Sequence, residues 1–200
     1  MSIEIPQQAL PAHVALEQQS DWVARWIGKP EAGERLLDFG SGGGRHAHLA
    51  DARGFKVLAV DRNPSSPEKD QSTNIEARLE DLESGRWSFS AERFEVIVVT
   101  NFLFRPRLDL LAGLLRPGGR LIYETFAVGN AAYGKPSSPA YLLRPDELFL
   151  LARRGTLQVV AFEQGYLATP KPALVQRIVA VKPPYDPESL PLVGPIGALS

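Results

Sequence analysis

Cysteine is absent from the 200 residues. That excludes disulfides, thiolate metal sites and a cysteine nucleophile, and it fits a reducing compartment, so a cytoplasmic location is expected. Long apolar runs are absent too; none approaches the roughly 20 residues that a membrane-spanning helix requires. Met1-Ser2-Ile3-Glu4 opens neither a basic nor an apolar stretch, so no signal peptide is expected. Neither sign of charge dominates: 22 Lys and Arg face 23 Asp and Glu, a net charge of -1. Without a strong field, neither nucleic acid nor a membrane is an expected partner. No group of His, Asp and Glu has metal-ligand spacing, so no metal is expected.

What remains, 44% hydrophobic and 22% charged, is an ordinary globular composition. Its length suffices for one domain with a buried core. That domain is placed over residues 1–182, with a proline-rich tail over 183–200. Trp22, Val23, Trp26 and Ile27 recur at helical spacing before Gly28 and Pro30, which predicts a helix over about 11–28. Strands are predicted at Arg35–Phe39, Lys56–Asp61, Ile75–Leu79, Phe94–Thr100 and Arg120–Thr125. Helices are predicted at about 45–53, at Leu108–Leu115, and from Pro145 to about Arg154. Arg116-Pro117-Gly118-Gly119 sets proline and glycine at the two central positions of a turn. The alternation of strands and helices implies a parallel sheet covered on both faces. Thr156–Phe162 and Leu174–Val181 follow with no helix between them, so they should be antiparallel. Residues 127–141 form a loop long enough to serve as a lid over a site.

The chemistry concentrates in Leu36-Leu37-Asp38-Phe39-Gly40-Ser41-Gly42-Gly43-Gly44-Arg45-His46. An apolar strand ends in a glycine-rich loop, a helix follows, and the next strand ends in Asp61. This is the form of a nucleotide-type cofactor site. The dinucleotide fingerprint G-x-G-x-x-G, counted from Gly40, would put its third glycine at position 45, which is Arg45. The register is therefore off by one for a pyrophosphate clamp. Three alternate glycines remove side chains where a ligand must approach the backbone. A carboxylate at the tip of the second strand can accept two hydroxyl donors at once.

D-x-G-x-G-x-G resembles motif I of the class I S-adenosylmethionine-dependent methyltransferases. The resemblance extends to Asp61, 21 residues beyond Gly40, to Asp81-Leu82 after the third strand, and to Leu115-Arg116-Pro117-Gly118-Gly119 before the fifth. It covers about residues 20–182. Trp22-Val23-Ala24-Arg25-Trp26, Gly44-Arg45-His46-Ala47 and Tyr123-Glu124-Thr125-Phe126 look like a small bacterial subgroup near the tellurite-resistance-type methyltransferases. The resemblance implies a Rossmann-like, doubly wound α/β fold with a seven-stranded mixed sheet, order 3-2-1-4-5-7-6 and the last strand antiparallel. It implies S-adenosylmethionine as cofactor, held by Asp38, Gly40, Ser41, Gly42 and Gly44 around the methionine part. Asp61 and Arg62 would hold the ribose, Asp81 and Leu82 would sit at the adenine, and Asn101 would border the sulfonium.

On the acceptor side, ligands of such sheets sit outside the carboxyl ends of the parallel strands. Asn101-Phe102-Leu103-Phe104 stands where amino-methylating relatives carry N-P-P-Y or D-P-P-Y, which disfavours DNA-base or glutamine methylation. Asn101, Phe102 and Glu124 are the candidate catalytic residues; Arg105, Tyr133, Lys135 and Arg144 are candidates for binding an acidic acceptor. Each also has a structural reading. Asp38 suits a helix cap, Asp81 beside Glu80 and Glu83 a solvated acidic turn, and His46 a packing role in the first helical turn. The expected function is methyl transfer to a small-molecule acceptor, with the oligomeric state left open. A non-catalytic cofactor-binding or partner-binding protein on the same fold is the alternative, and a nicotinamide-dependent oxidoreductase a weaker one.

Overall fold

The computed structural model describes residues 18–63, 72–84 and 87–190. In chain order the elements are α1 (Asp21–Trp26), β1 (Arg35–Phe39), α2 (Arg45–Ala52), β2 (Lys56–Asp61), β3 (Ile75–Leu79) and β4 (Phe94–Thr100). They continue with α3 (Arg105–Leu108), α4 (Leu111–Leu114), β5 (Leu115–Phe126), α5 (Glu147–Arg154), β6 (Gln158–Leu167) and β7 (Ala173–Val181). The seven strands form one sheet in the order β3-β2-β1-β4-β5-β7-β6. The first five are parallel, and β7 runs antiparallel to both β5 and β6. This is the expected Rossmann-like arrangement.

Strand β4 lies at the centre because Val96-Ile97-Val98-Val99 is β-branched and can be buried on both faces. The pleat sorts the apolar residues into two layers. Leu37, Leu58, Val60, Ile97, Val99 and Leu121 enter the layer that also contains Leu108, Leu111, Leu148 and Leu151 from α3, α4 and α5. Leu36, Val57, Ala59, Val96, Val98 and Ile122 enter the layer that contains Trp22 and Val23 of α1 and Ala47 and Ala50 of α2. By the same alternation Asp38, Thr100 and Glu124 share the face of α1 and α2, at the carboxyl ends of three neighbouring strands.

The local differences from expectation have identifiable causes. The N-terminal helix is only Asp21–Trp26, capped by Ser20, whose Oγ accepts from the Val23 N–H at 3.4 Å. Of the residues predicted to precede it, 11–17 lie outside the described ones and Gln18–Ser20 are not helical. Leu108–Leu115 is not one helix but two short turns, after which Leu115 pairs with Phe94 in the sheet. The turn at Arg116–Gly119 is drawn into the same sheet: the Gly118 N–H donates to the Lys182 carbonyl at 2.8 Å and the Lys182 N–H to the Gly119 carbonyl at 2.9 Å. Gly118, at φ +79°, supplies the left-handed position that a proline-led turn of this kind needs. Strand β6 continues to Leu167 although Glu163-Gln164-Gly165 is not apolar, because its partners Arg177 to Ala173 lie opposite in an antiparallel hairpin. Helix α5 begins only at Glu147, after Pro145. The long loop is tied down by buried Asn130, whose amide donates to the Pro136 carbonyl at 3.1 Å and accepts from the Leu174 N–H at 3.1 Å. Of the proline-rich tail, residues 191–200 lie outside the described ones, while Leu190 is buried. Among the described residues no helix is long and apolar enough to cross a membrane.

Candidate cofactor and acceptor site

The glycine loop turns sharply off β1. Gly40, at φ +79°, donates its N–H to the Val60 carbonyl at 2.9 Å, and Ser41 donates to the same oxygen at 3.1 Å. A Cβ on Gly40 would stand 3.1 Å from the Cβ, Cγ and Cδ2 of Phe102, so the loop and the end of β4 are in contact only because that side chain is missing. The Gly42 N–H donates to Asp61 Oδ2 at 3.0 Å, and the Asn63 N–H donates to Asp61 Oδ1 at 2.9 Å. The acid at the tip of β2 therefore lies against the loop. Gly44, at φ +76°, caps α2.

Asp38 is buried, and neither of its oxygens has a hydrogen-bond partner of ordinary geometry. Burial pushes its carboxyl up to about 7; the Ala47 amide and the Arg45 guanidinium pull the other way, and Asp61 adds a smaller push up. Ser41 Oγ is likewise buried without a partner. Arg45 carries a weakened proton affinity through burial, opposed by Glu124 and Asp38, and donates to the Gln18 carbonyl at 3.1 Å. His46 is fully packed between the Ser20 amide and Thr100, which gives it the structural role that its position suggested.

After β3, Asp81 forms a tight turn, accepting from Ser84 Oγ at 2.7 Å and from the Glu83 N–H at 2.9 Å. The Ser84 bond, then the Glu83 amide, hold its carboxyl below the usual range. Leu82 is buried under this turn, and Arg62 pairs with Glu83 at 3.0 Å.

Beyond the carboxyl ends of the strands lies a cavity of about 560 Å³, the candidate acceptor site, whose walls include Ser20, Arg45, Asn101, Glu124 and Phe126. Asn101 leaves β4 at φ +54° and donates its N–H to the Glu124 carbonyl at 3.0 Å. Glu124 is nearly buried; its Oε2 lies 3.5 Å from an Arg177 nitrogen, an ion-pair distance, and makes no hydrogen bond. Arg177 stacks over Trp22 and pairs on its other side with Glu163. Phe102 is not a wall of this cavity: its ring packs edge-on against Phe39 at 5.4 Å, and its carbonyl accepts from the Tyr123 hydroxyl at 2.7 Å.

Of the four residues expected to bind an acceptor, only Lys135 lines the cavity. Arg105 is engaged elsewhere: it makes two bonds to Glu147, at 2.6 and 2.8 Å, and donates to the carbonyls of Ala140 and Leu142 at 2.8 Å each. Tyr133 stacks on Tyr166 at 5.2 Å, and the Arg144 backbone bonds Glu147 and Gln176. Lys171 and Tyr141 line the cavity and were not singled out in the sequence. The signal for Lys171 was available, since a strand antiparallel to β5 must start at the rim where β5 ends, and Lys171 stands two residues before such a strand.

A family model described as a methyltransferase domain matches residues 12–147. No curated protein matches the chain. Among solved structures, TehB from Haemophilus influenzae is 20% identical with a TM-score of 0.59, the match covering 75% of this chain and 58% of TehB, less than two thirds of its length. The 1,6-didemethyltoxoflavin-N1-methyltransferase of Burkholderia thailandensis, with bound 1,6-didemethyltoxoflavin and S-adenosylhomocysteine, is 19% identical with a TM-score of 0.57 over 78% of this chain and 72% of that one. The [4+2]-cyclase SpnF is 13% identical with a TM-score of 0.63 over 81% of this chain and 78% of that one. Such distant likenesses establish the fold and leave activity to the site. The family match spans more than half of the chain, and the strand order is the one that this fold requires. The chain therefore belongs to the methyltransferase domain family.

Proposed function

We propose that the enzyme methylates a small-molecule acceptor seated in the cavity beside Glu124. One observation carries this reading: Arg45, which opens the helix after the glycine loop, and Asn101, at the end of β4, are both walls of that cavity. Cofactor loop and cavity thus meet, and about 560 Å³ is the scale of a small-molecule site.

The residues present fit the cofactor. Asp38 and Ser41 keep buried polar atoms without partners, which costs roughly 1–3 kcal/mol per group unless a ligand supplies them. A substituted Gly42 would meet nothing within 4 Å, so the loop has an open side. Asp38, Gly40, Ser41, Gly42 and Gly44 would hold the methionine part. Asp61 would hold the ribose with Arg62 beside it, its four lone-pair sites leaving capacity beyond the two amides it already binds. Asp81 and Leu82 would border the adenine. When bound, S-adenosylmethionine supplies a sulfonium methyl group for in-line displacement. Asn101 holds the floor between cofactor and acceptor, with Phe102 supporting the glycine loop from beneath. Glu124, a wall of the cavity, orients the acceptor or takes its proton. The loop over 127–141, pinned by Asn130, helps to keep water out.

The same reading takes residues 1–182 as one methyltransferase domain with a tail over 183–200, working in the cytoplasm. The likeness to TehB supports a place near the tellurite-resistance-type methyltransferases. The test is calorimetric titration of the purified protein with S-adenosylhomocysteine, wild type beside Asp61→Ala, followed by an acceptor screen read as S-adenosylhomocysteine release. We expect saturation near one equivalent, and at least tenfold weaker binding in the variant. Folded protein that fails to bind the compound overturns the reading. Turnover must follow binding, because SpnF is a cyclase on this fold.

A further inference from the structure

We infer that the acceptor is an apolar molecule carrying an anionic group, a carboxylate or a phosphate, held at the cavity rim by Lys135 and Lys171. The inference rests on the methyltransferase reading of the cavity and names the acceptor's chemical class.

The inner walls are largely apolar: Phe126 from β5, Leu167 from β6, Ala173 and Val175 from β7, with Pro136 and Pro170 above them. Such walls favour an acceptor with a hydrophobic body. The charged groups among the walls are Arg45, Lys135, Lys171 and Glu124. Glu124 is already balanced, with Arg177 at 3.5 Å on one side and the Arg45 charge acting on the other. That leaves two ammonium groups without a carboxylate to answer them; among the described residues neither lysine has an ion-pair partner.

The two lysines come from different parts of the chain and line the same cavity. Lys171 sits in the connection between β6 and β7 and reaches toward the loop, its Nζ lying 3.6 Å from where a Cβ on Gly134 would stand. Lys135 is the next residue of that loop. A lysine ammonium acts as a compact point charge, and attraction between charges closer than the Debye length, about 8 Å at physiological salt, is only partly screened. Within a cavity of this length scale the anion would rest at the rim while the body extends along the apolar walls toward Glu124. With a net charge of only -1 over the whole chain, this selectivity is local to the cavity.

The test uses full-length protein saturated with S-adenosylhomocysteine. Three acids, 2-naphthoate, octanoate and phenyl phosphate, are titrated beside neutral counterparts, 2-naphthamide, octanamide and phenol. Binding is read by calorimetry and by saturation-transfer difference NMR, for wild type and for Lys135→Gln/Lys171→Gln. At least one acid should bind tenfold or more tightly than its neutral counterpart, and the preference should fall to within threefold in the double variant. Acids and neutral counterparts binding alike, no acid binding at millimolar concentration, or a preference that survives the double variant would each overturn the inference. Because the lysines are exposed, their replacement leaves the fold intact, which unchanged thermal unfolding verifies. Binding of S-adenosylhomocysteine is recorded in the same samples, so loss of the methyltransferase reading shows separately from loss of anion selectivity.

Discussion

The Ser20 N–H donates to His46 Nε2 at 3.1 Å. A backbone amide can only donate, so Nε2 carries the lone pair and Nδ1 carries the proton, which goes to Thr100 Oγ1 at 3.2 Å. The imidazole is thus a neutral strut between the segment that walls the cavity and the end of β4. Burial, with a smaller contribution from Arg45, pushes its pKa down to about 3. The unfolded chain takes up a proton here near pH 6.5, whereas the folded one refuses it until about pH 3. As pH falls through that window, His46 removes about 1.4 kcal/mol of stability per pH unit. Urea unfolding at pH 7, 6 and 5 should therefore show His46→Gln about 1–2 kcal/mol less stable than wild type at pH 7, through loss of buried bonds. The gap should close at pH 5. Parallel curves would show that the ring is not held neutral.

Asp38 acts with the opposite sign. Its folded carboxyl keeps a proton up to about pH 7, whereas the unfolded one loses it near 3.8. Between those values the folded state binds more protons, so the Asp38 contribution to stability falls as pH rises. Without ligand, Asp38→Asn should be more stable than wild type at pH 8 and closer to it at pH 5. A ligand that brings donors to the partnerless oxygens favours the ionised form. Binding of S-adenosylhomocysteine at pH 6 should then release a proton, seen as a binding enthalpy that changes with the ionisation enthalpy of the buffer. The variant should show no such dependence. A wild-type enthalpy identical in all buffers would separate Asp38 from the ligand.

The sheet was legible because its signals are local. The run Val96-Ile97-Val98-Val99, the acids closing β1 and β2, and the absence of a helix between β6 and β7 each determine one piece of topology without help from distant residues. The glycine loop was legible for the same reason, since Gly40 and its left-handed backbone belong to one turn. The candidate acceptor site was less so. Whether Arg105 faces a ligand or a carboxylate depends on Glu147, 42 residues away, and nothing near Arg105 announces that pairing. Tyr133 found Tyr166, and Lys171 reached the rim, through the same long-range closure of the β6–β7 hairpin. The two helical turns in place of one helix over 108–115 arose when the sheet claimed Leu115 through Phe94.

Gly40 offers a direct test of contact between the glycine loop and the end of β4. At φ +79°, with Phe102 atoms 3.1 Å from the position of a Cβ, alanine meets both backbone strain and a collision. Gly40→Ala should cost about 1–3 kcal/mol in urea unfolding and weaken S-adenosylhomocysteine at least tenfold. Phe102→Ala made alongside it removes the Cγ and Cδ2 contacts and leaves the Cβ contact and the strain. The double variant should recover part of the stability, giving a coupling of about 0.5–1 kcal/mol in a double-mutant cycle. Strictly additive losses would show that the ring yields freely.

Arg105 separates a structural role from an acceptor-binding one. Its guanidinium spans Glu147 with two bonds and also holds the carbonyls of Ala140 and Leu142, so it ties α3 to the end of the loop over 127–141 and to the start of α5. Lysine keeps the charge but cannot reproduce that planar fork. Arg105→Lys should lose about 1–2 kcal/mol at pH 7, since the pair is partly exposed and its Coulomb attraction is screened. Burial raises the Glu147 carboxyl, but the bonds to Arg105 and the Arg144 amide outweigh it and hold the pKa below 4.5. The pair therefore stabilises fully above that value and loses its contribution as pH falls through the lower folded pKa, so the gap between wild type and variant should narrow toward pH 3. Binding of S-adenosylhomocysteine and of 2-naphthoate should stay within twofold of wild type at pH 7. A variant that unfolds normally but loses the acid would return Arg105 to the acceptor site.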